Sequence, residues 1–203
     1  MSYSQLTTNA HIYSKDSLSG ISQRAAFLTL VPLSLITSIT DVVTGVFGIL
    51  AEAATLGNNE QLVKGTNVQL KASRFIACGP YLNLLKAINP HAPFTKRRET
   101  IGYLAKSFIT PTFKMFTTCK KSPRLFHRQI STRLTVALSL VAATVSRVLD
   151  AIISLIAAPL SIVTFGKFQR INDIALNALK APGLIFDLHY STLLFINPFA
   201  IKH

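Results

Sequence analysis

Two stretches of the chain, 22–56 and 131–165, are almost unbroken runs of apolar residues. The polar and small residues within them are not scattered. Ser34, Ser38, Asp41, Gly45, Gly48 and Glu52 recur at three- and four-residue steps, and so do Ser139, Ala143, Ser146, Asp150, Ser154, Ala157 and Ser161. That spacing places each set on one face of a helix. Small residues let backbones approach closely, so each stripe predicts a packing face, with the two long helices as each other's obvious partners. Behind the second run, Phe168, Ile171, Ala175, Ala178 and Leu179 fall at helical spacing and predict a shorter amphipathic helix. The equivalent stretch after Gly57 is weaker and contains Gly65.

The two halves share landmarks in order. Ile21, Ser22 and Arg24 match Ile130, Ser131 and Arg133 at a spacing of 109 positions, which also relates Asp41 to Asp150, Thr55 to Thr164, Gly57 to Gly166 and Lys71-Ala72 to Lys180-Ala181. One residue out of register, Ile88-Asn89-Pro90 matches Ile196-Asn197-Pro198. Such order predicts a duplicated unit. Each unit reads as a long helix opened by a serine cap (Ser22, Ser131) and closed by glycine, then a shorter amphipathic helix, then a third apolar segment that ends at Asn-Pro. The expected organisation is a disordered polar leader (1–20), a first unit (21–95), a basic aromatic connector (96–129) and a second unit (130–203).

A helix over 22–56 would be about 50 Å long at 1.5 Å per residue, against about 30 Å for the hydrocarbon core of a bilayer. It has length to tilt, or to kink at Pro32. The alternative is a helical hairpin that folds back at a polar waist, Thr37 to Gly45 in one run and Thr144 to Asp150 in the other. Asp41 and Asp150 sit mid-run, where a lipid-facing carboxylate would cost about 2.5–3.5 kcal/mol. Arg147 is three residues from Asp150, within salt-bridge reach on a helix. Asp41 has no basic neighbour in sequence and is expected to face Arg147 across the helix pair. Asp41, Arg147 and Asp150 are therefore the candidate polar contact, with an ion path through the two acids as the sharper alternative.

Composition then decides the class. Hydrophobic residues make up 49% of the 203, which suits any core, but charged residues only 14%, well below the ~25% usual for soluble domains. So sparsely ionised a chain has little with which to cover a soluble surface. The net charge of +13 is concentrated in 96–133, where ten basic residues accompany one acid, Glu99. Lys96, Arg97, Arg98, Lys106, Lys114, Lys120, Lys121, Arg124 and Arg128 alternate there with Tyr103, Phe108, Phe113, Phe116 and Phe126. Cations near anionic lipid gain about 1 kcal/mol each, and aromatic rings settle at the headgroups. This segment is expected to lie on the cytoplasmic surface of a membrane. Single-stranded nucleic acid is the rival partner, but no nucleic-acid-binding module is recognisable.

Little points to catalysis. There is no phosphate-binding glycine loop, no Gly-x-Ser-x-Gly and no His-Glu-x-x-His. Cys78 and Cys119 are far apart with no metal-ligand spacing, which fits inert thiols or a reducing compartment. Asp187, His189 and Tyr190 form the nearest thing to a catalytic cluster and read better as a polar belt at a membrane boundary. No enzyme activity, metal or cofactor is expected.

The Ser/Thr-rich leader, the paired apolar runs and the stretch RAAFLTLVPLSLITSITDVVTG (24–45) resemble small membrane proteins of chlamydia-like intracellular bacteria, including inclusion-membrane proteins. The leader is also similar to uncleaved leaders of type III secreted proteins. Those inclusion proteins carry one bilobed hairpin, whereas here two runs stand about 75 residues apart. The resemblance implies a scaffolding or interaction role in a bacterial or host-vacuole membrane. The sequence thus predicts an all-α, internally duplicated helical membrane protein, with two long apolar helices or helical hairpins each followed by shorter amphipathic ones. Its expected partners are the bilayer, anionic lipids, and a second copy of the chain or another membrane protein. A small pseudo-symmetric channel using Asp41 and Asp150, and a soluble helical lipid-binding protein, are the alternatives.

Overall fold

A computed structural model describes residues 2–55, 59–95, 102–125 and 127–197. Among the described residues the regular structure is all helix, with no strand. In chain order the α-helices are α1 (Ser4–Ser17), α2 (Gly20–Ala54), α3 (Glu60–Lys71), α4 (Phe75–Ile88), α5 (Ala105–Lys120), α6 (Thr132–Val163), α7 (Gln169–Ala178) and α8 (Leu184–Ile196). Single 3-10 turns, Ala72–Arg74 and Ala181–Gly183, link α3 to α4 and α7 to α8. A π turn, His127–Ser131, leads into α6. The order short, long, short, 3-10 turn, short thus occurs twice. The starts of α3, the first 3-10 turn and α4 precede those of α7, the second turn and α8 by 109 positions each.

Both long runs are continuous helices, and neither folds back as a hairpin. The threonines of the polar waist turn their hydroxyls back onto the helix and leave no polar group to break it. Thr37, Thr40 and Thr44 donate their hydroxyls to the carbonyls of Leu33, Ile36 and Thr40, and Thr144 donates to Leu140. Pro32 and Pro159 are accommodated inside α2 and α6. The buried positions of α2 are Gln23, Phe27, Leu30, Ser34, Ser38, Asp41, Gly45 and Glu52, one stripe at helical spacing. The small and polar stripe is the packing face, as its spacing predicts.

Its partner is different from the one expected. Each long helix packs chiefly against shorter helices of its own half, α2 against α4, α3 and α1, and α6 against α5, α7 and α8. Glycine sets the closest approach: a Cβ on Gly45 would sit 2.7 Å from Leu70 Cδ2, and one on Gly48 would strike the Thr66 side chain. The α4 helix also reaches the other half, where Cys78, Tyr81, Leu82 and Leu85 share a core with Ala157, Ala175 and Leu176.

The helix ends repeat too. Thr55 and Thr164 close the long helices, each hydroxyl donating back to the last turn. Beyond Thr164, Phe165 and Gly166 take the left-handed region at φ +52° and +63°, and the Gly166 N–H closes on the Ser161 carbonyl at 2.8 Å. Gly57 lies outside the described residues. Asn89 and Asn197 end α4 and α8 in the same extended conformation, φ −135° and −129°.

Several boundaries differ from expectation. The α2 helix starts at Gly20, so Ser22 lies inside it and donates to the Ser19 carbonyl instead of capping. Ser131 precedes α6 without a side-chain cap bond. The leader is not disordered over 4–17 but forms α1, whose weakly amphipathic sequence rests Thr7, His11 and Ser14 against the body. The connector likewise contains a helix, α5, which lies along α6 and buries Ala105 and Phe116; residues 96–101 lie outside the described residues.

Candidate functional site

The inward faces of α2 and α6 carry a polar seam in each half. Asp41, fully buried, accepts from the Tyr3 N–H at 2.7 Å (Oδ1) and from the Ser4 N–H at 2.8 Å (Oδ2). Asp150, equally buried, accepts from the Leu104 N–H at 2.8 Å. Each aspartate therefore seats the N-terminus of the short helix that precedes its own long helix. Free N–H groups and the positive end of the helix dipole favour a carboxylate there. This corrects the expected contact between Asp41 and Arg147. The charge opposite Asp41 is a helix end, which sequence separation hides.

Arg147 turns elsewhere. Its Nε donates to Asp187 Oδ2 at 2.8 Å and its Nη1 to the Lys180 carbonyl at 3.1 Å. The other oxygen of Asp187 accepts from Arg74 at 2.8 Å. A buried acid from α8 thus joins an arginine from each half. Arg74 also lies over the Phe186 ring at 4.8 Å. Burial holds its pKa below the usual guanidinium value, and the neighbouring Asp187 carboxylate offsets only part of that. Asp187 stands out in the sequence only within the polar belt it forms with His189 and Tyr190; Arg74 and the junction carry no local signal, because the partners are 113 residues apart.

Two further contacts cross between the halves. Glu52 of α2 meets His189 of α8 at 3.2 Å, with both side chains buried. Tyr81 of α4 donates to Ser161 of α6 at 2.8 Å, and Ser161 donates to Asn172 at 2.6 Å. Glu52 and Ser161 are 109 positions apart, and Tyr81 and His189 are 108 apart, so the two contacts occupy corresponding places. Desolvation pushes the His189 imidazole below its usual pKa. Asp187 and His189 address different partners and do not form an acid–base pair. Among the described residues, no three His, Cys, Asp or Glu side chains come together as a metal site would need.

The outward faces are the converse of the seam. On α2, Leu28, Leu33, Ile36, Ile39, Val43, Val46, Phe47 and Leu50 are exposed, and on α6 so are Leu134, Leu138, Val141, Val145, Ile152, Leu155, Ile156 and Val163. From Ala25 to Ala51 the ionisable side chain is Asp41, and from Leu134 to Val163 they are Arg147 and Asp150; all three are buried. Of the basic segment, Lys106, Lys114, Lys121, Arg124 and Arg128 are exposed, and Lys120 stands 5.8 Å over the Phe116 ring. Lys96, Arg97 and Arg98 lie outside the described residues.

No family model matches this chain, and no curated protein or solved structure matches it.

Proposed function

We propose that the chain is a non-catalytic, internally duplicated membrane protein with a scaffolding or interaction role. The observation that carries this is the uncharged outer surface of the two long helices. At 1.5 Å per residue, 25–51 and 134–163 run for roughly 40 and 45 Å without an exposed charge, more than the about 30 Å of a bilayer core. Only 28% of the most apolar window of each helix is buried, whereas the core helix of a soluble protein would be mostly covered. Exposed apolar surface on this scale marks an interaction face, and a bilayer fits one that is uniform, extended and duplicated. The recurrence of helix order, of the aspartate seats and of the Asn-Pro ends supports duplication.

In this reading the basic residues of α5 and its flanks, Lys106 to Arg128, rest on an anionic membrane surface on the cytoplasmic side, in a bacterial or host-vacuole membrane. Asp41 and Asp150 hold short helices in place, and their engagement by backbone N–H groups favours that structural use over ion conduction. Carbonate extraction of membranes from expressing cells tests the reading. Retention in the pellet is expected; release into the supernatant as a monodisperse monomer overturns it.

A further inference from the structure

A cavity of about 660 Å3 lies in the first half between α1, α2 and α4, reaching Leu176 and Lys180 of the second. That volume falls within the about 300–1,000 Å3 of small-molecule sites. At the corresponding place in the second half stand aromatic rings and a buried ion pair. Tyr3 and Leu104 hold the same place on their aspartates, so Ile12 corresponds to Phe113 and Lys15 to Phe116. Counting back from Asn89 and Asn197, Cys78 corresponds to Phe186, Gly79 to Asp187 and Leu82 to Tyr190; on the long helices Ser38 corresponds to Arg147.

In the second half Phe113 stands 5.6 Å from Phe116 and 6.3 Å from Tyr190, and Tyr190 stands 5.5 Å from Phe186. Beside them Arg147 and Asp187 close the interior. In the first half the corresponding residues all line the cavity. Except for Lys15, each is a smaller group in place of a ring or a buried ion pair. The cavity is therefore the result of substitutions on one copy of a shared plan, and it inherits from the proposed duplication.

Its chemistry is two-sided. Carbon surface from Ile12, Phe75, Cys78, Leu82 and Leu176 makes up most of the wall. The charged lining residues are Lys15, Lys71, Arg74 and Lys180 against one acid, Asp16. Lys71 and Lys180 immediately precede the two 3-10 turns, which touch, and Arg74 ends the first. Lys71 and Arg74 both lie over the Phe186 ring, so three cations line the cavity at this junction, with Arg74 also held by Asp187. The α1 helix closes the cavity like a strap, held by Asp41 at its start, by His11 against Asn83 at 2.7 Å, and by Gln23 at its end.

We propose that this cavity binds one single-chain anionic amphiphile, its chain between α1 and α4 and its acid group at Lys71, Arg74 and Lys180. The acid group is a carboxylate, as in a fatty acid, or a phosphate monoester, as in a lysophosphatidate. Apolar lining with a few convergent polar groups is the usual construction of such a site, and guanidinium and ammonium groups both suit either anion.

The test uses the full chain in a neutral sterol-based detergent, with native mass spectrometry counting bound palmitate, 1-palmitoyl lysophosphatidate and zwitterionic 1-palmitoyl lysophosphatidylcholine. One-to-one binding of at least one acid is expected, and the tighter acid identifies the headgroup. The zwitterion should bind about tenfold more weakly. Leu82→Tyr, which copies Tyr190 of the second half, should abolish binding with helicity unchanged; Ile12→Phe makes the same test should Leu82→Tyr fail to fold. Lys71→Gln should weaken binding about tenfold. Undiminished binding by a folded, filled variant, equal binding of the zwitterion, or no acid bound at all overturns the proposal. A chain that stays in the carbonate pellet without binding refutes the site and leaves the membrane reading standing, and the reverse pair of results separates them the other way.

Discussion

Asp41→Asn removes the charge that seats α1. The carboxylate is fully buried and accepts two backbone N–H bonds of 2.7 and 2.8 Å. Hydrogen bonds to a charged group contribute about 1.5–3 kcal/mol each, and an asparagine can still accept one of them. Loss of one such bond, plus about 0.5 kcal/mol of helix-dipole interaction, comes to roughly 2–3.5 kcal/mol. At 1.4 kcal/mol per factor of ten, the opening equilibrium of α1 rises about 30- to 300-fold. The effect should stay local, because α1 packs on α2 at the edge of the body while α2 keeps α3 and α4. Hydrogen exchange in detergent micelles measures it: the amides of Ser4–Ser17 lose protection by that factor, and those of α3 and α4 keep theirs. Unchanged exchange in α1 would refute the reasoning, and so would uniform loss across α2 to α4. Asp150→Asn should act in the same way on α5.

Other perturbations follow from the same contacts. Gly48→Leu drives a side chain into Thr66, and should detach α3 from α2 with a loss of about 1–3 kcal/mol, read by denaturant titration in detergent. Arg147→Gln strips one partner from the buried Asp187 and should cost about 3–5 kcal/mol, with restoration of stability by Asp187→Asn in the double variant. His189 has its pKa depressed by burial, so the folded state resists the proton that the unfolded chain accepts. Its contribution is complete above the unfolded histidine pKa of about 6.5 and is lost as pH falls below it; His189→Gln should flatten that part of the stability curve, and an unchanged slope would refute the assignment.

The sequence carries the long helices and their inward stripes plainly, because Ser34, Ser38, Asp41 and Gly45 repeat with the helix itself. The paired Asn-Pro ends and the Asp41–Asp150 correspondence were legible for the same reason: they are local landmarks at a fixed spacing. What sequence could not supply were contacts made at a distance. The α1 helix has little amphipathic signal of its own and depends on an acid 38 residues away. Arg147 stands three residues from Asp150 in the sequence, but α8 brings Asp187 to it and its Nε donates there. The seats for Asp41 and Asp150 are backbone N–H groups, and no search for a basic side chain finds those. The cavity was illegible until α1 and α5 could be matched, since it arises from what Ile12, Cys78 and Leu82 fail to fill.

The chain contains no tryptophan, so single insertions report their surroundings without interference. Phe47→Trp and Ile156→Trp stand on the outward faces, at 66% and 70% exposure. Reconstituted in vesicles, both should be quenched by lipids brominated on the acyl chain and be shielded from aqueous iodide. Quenching of both by iodide, with no response to brominated lipid, would mean that the long helices face water and would contradict the account.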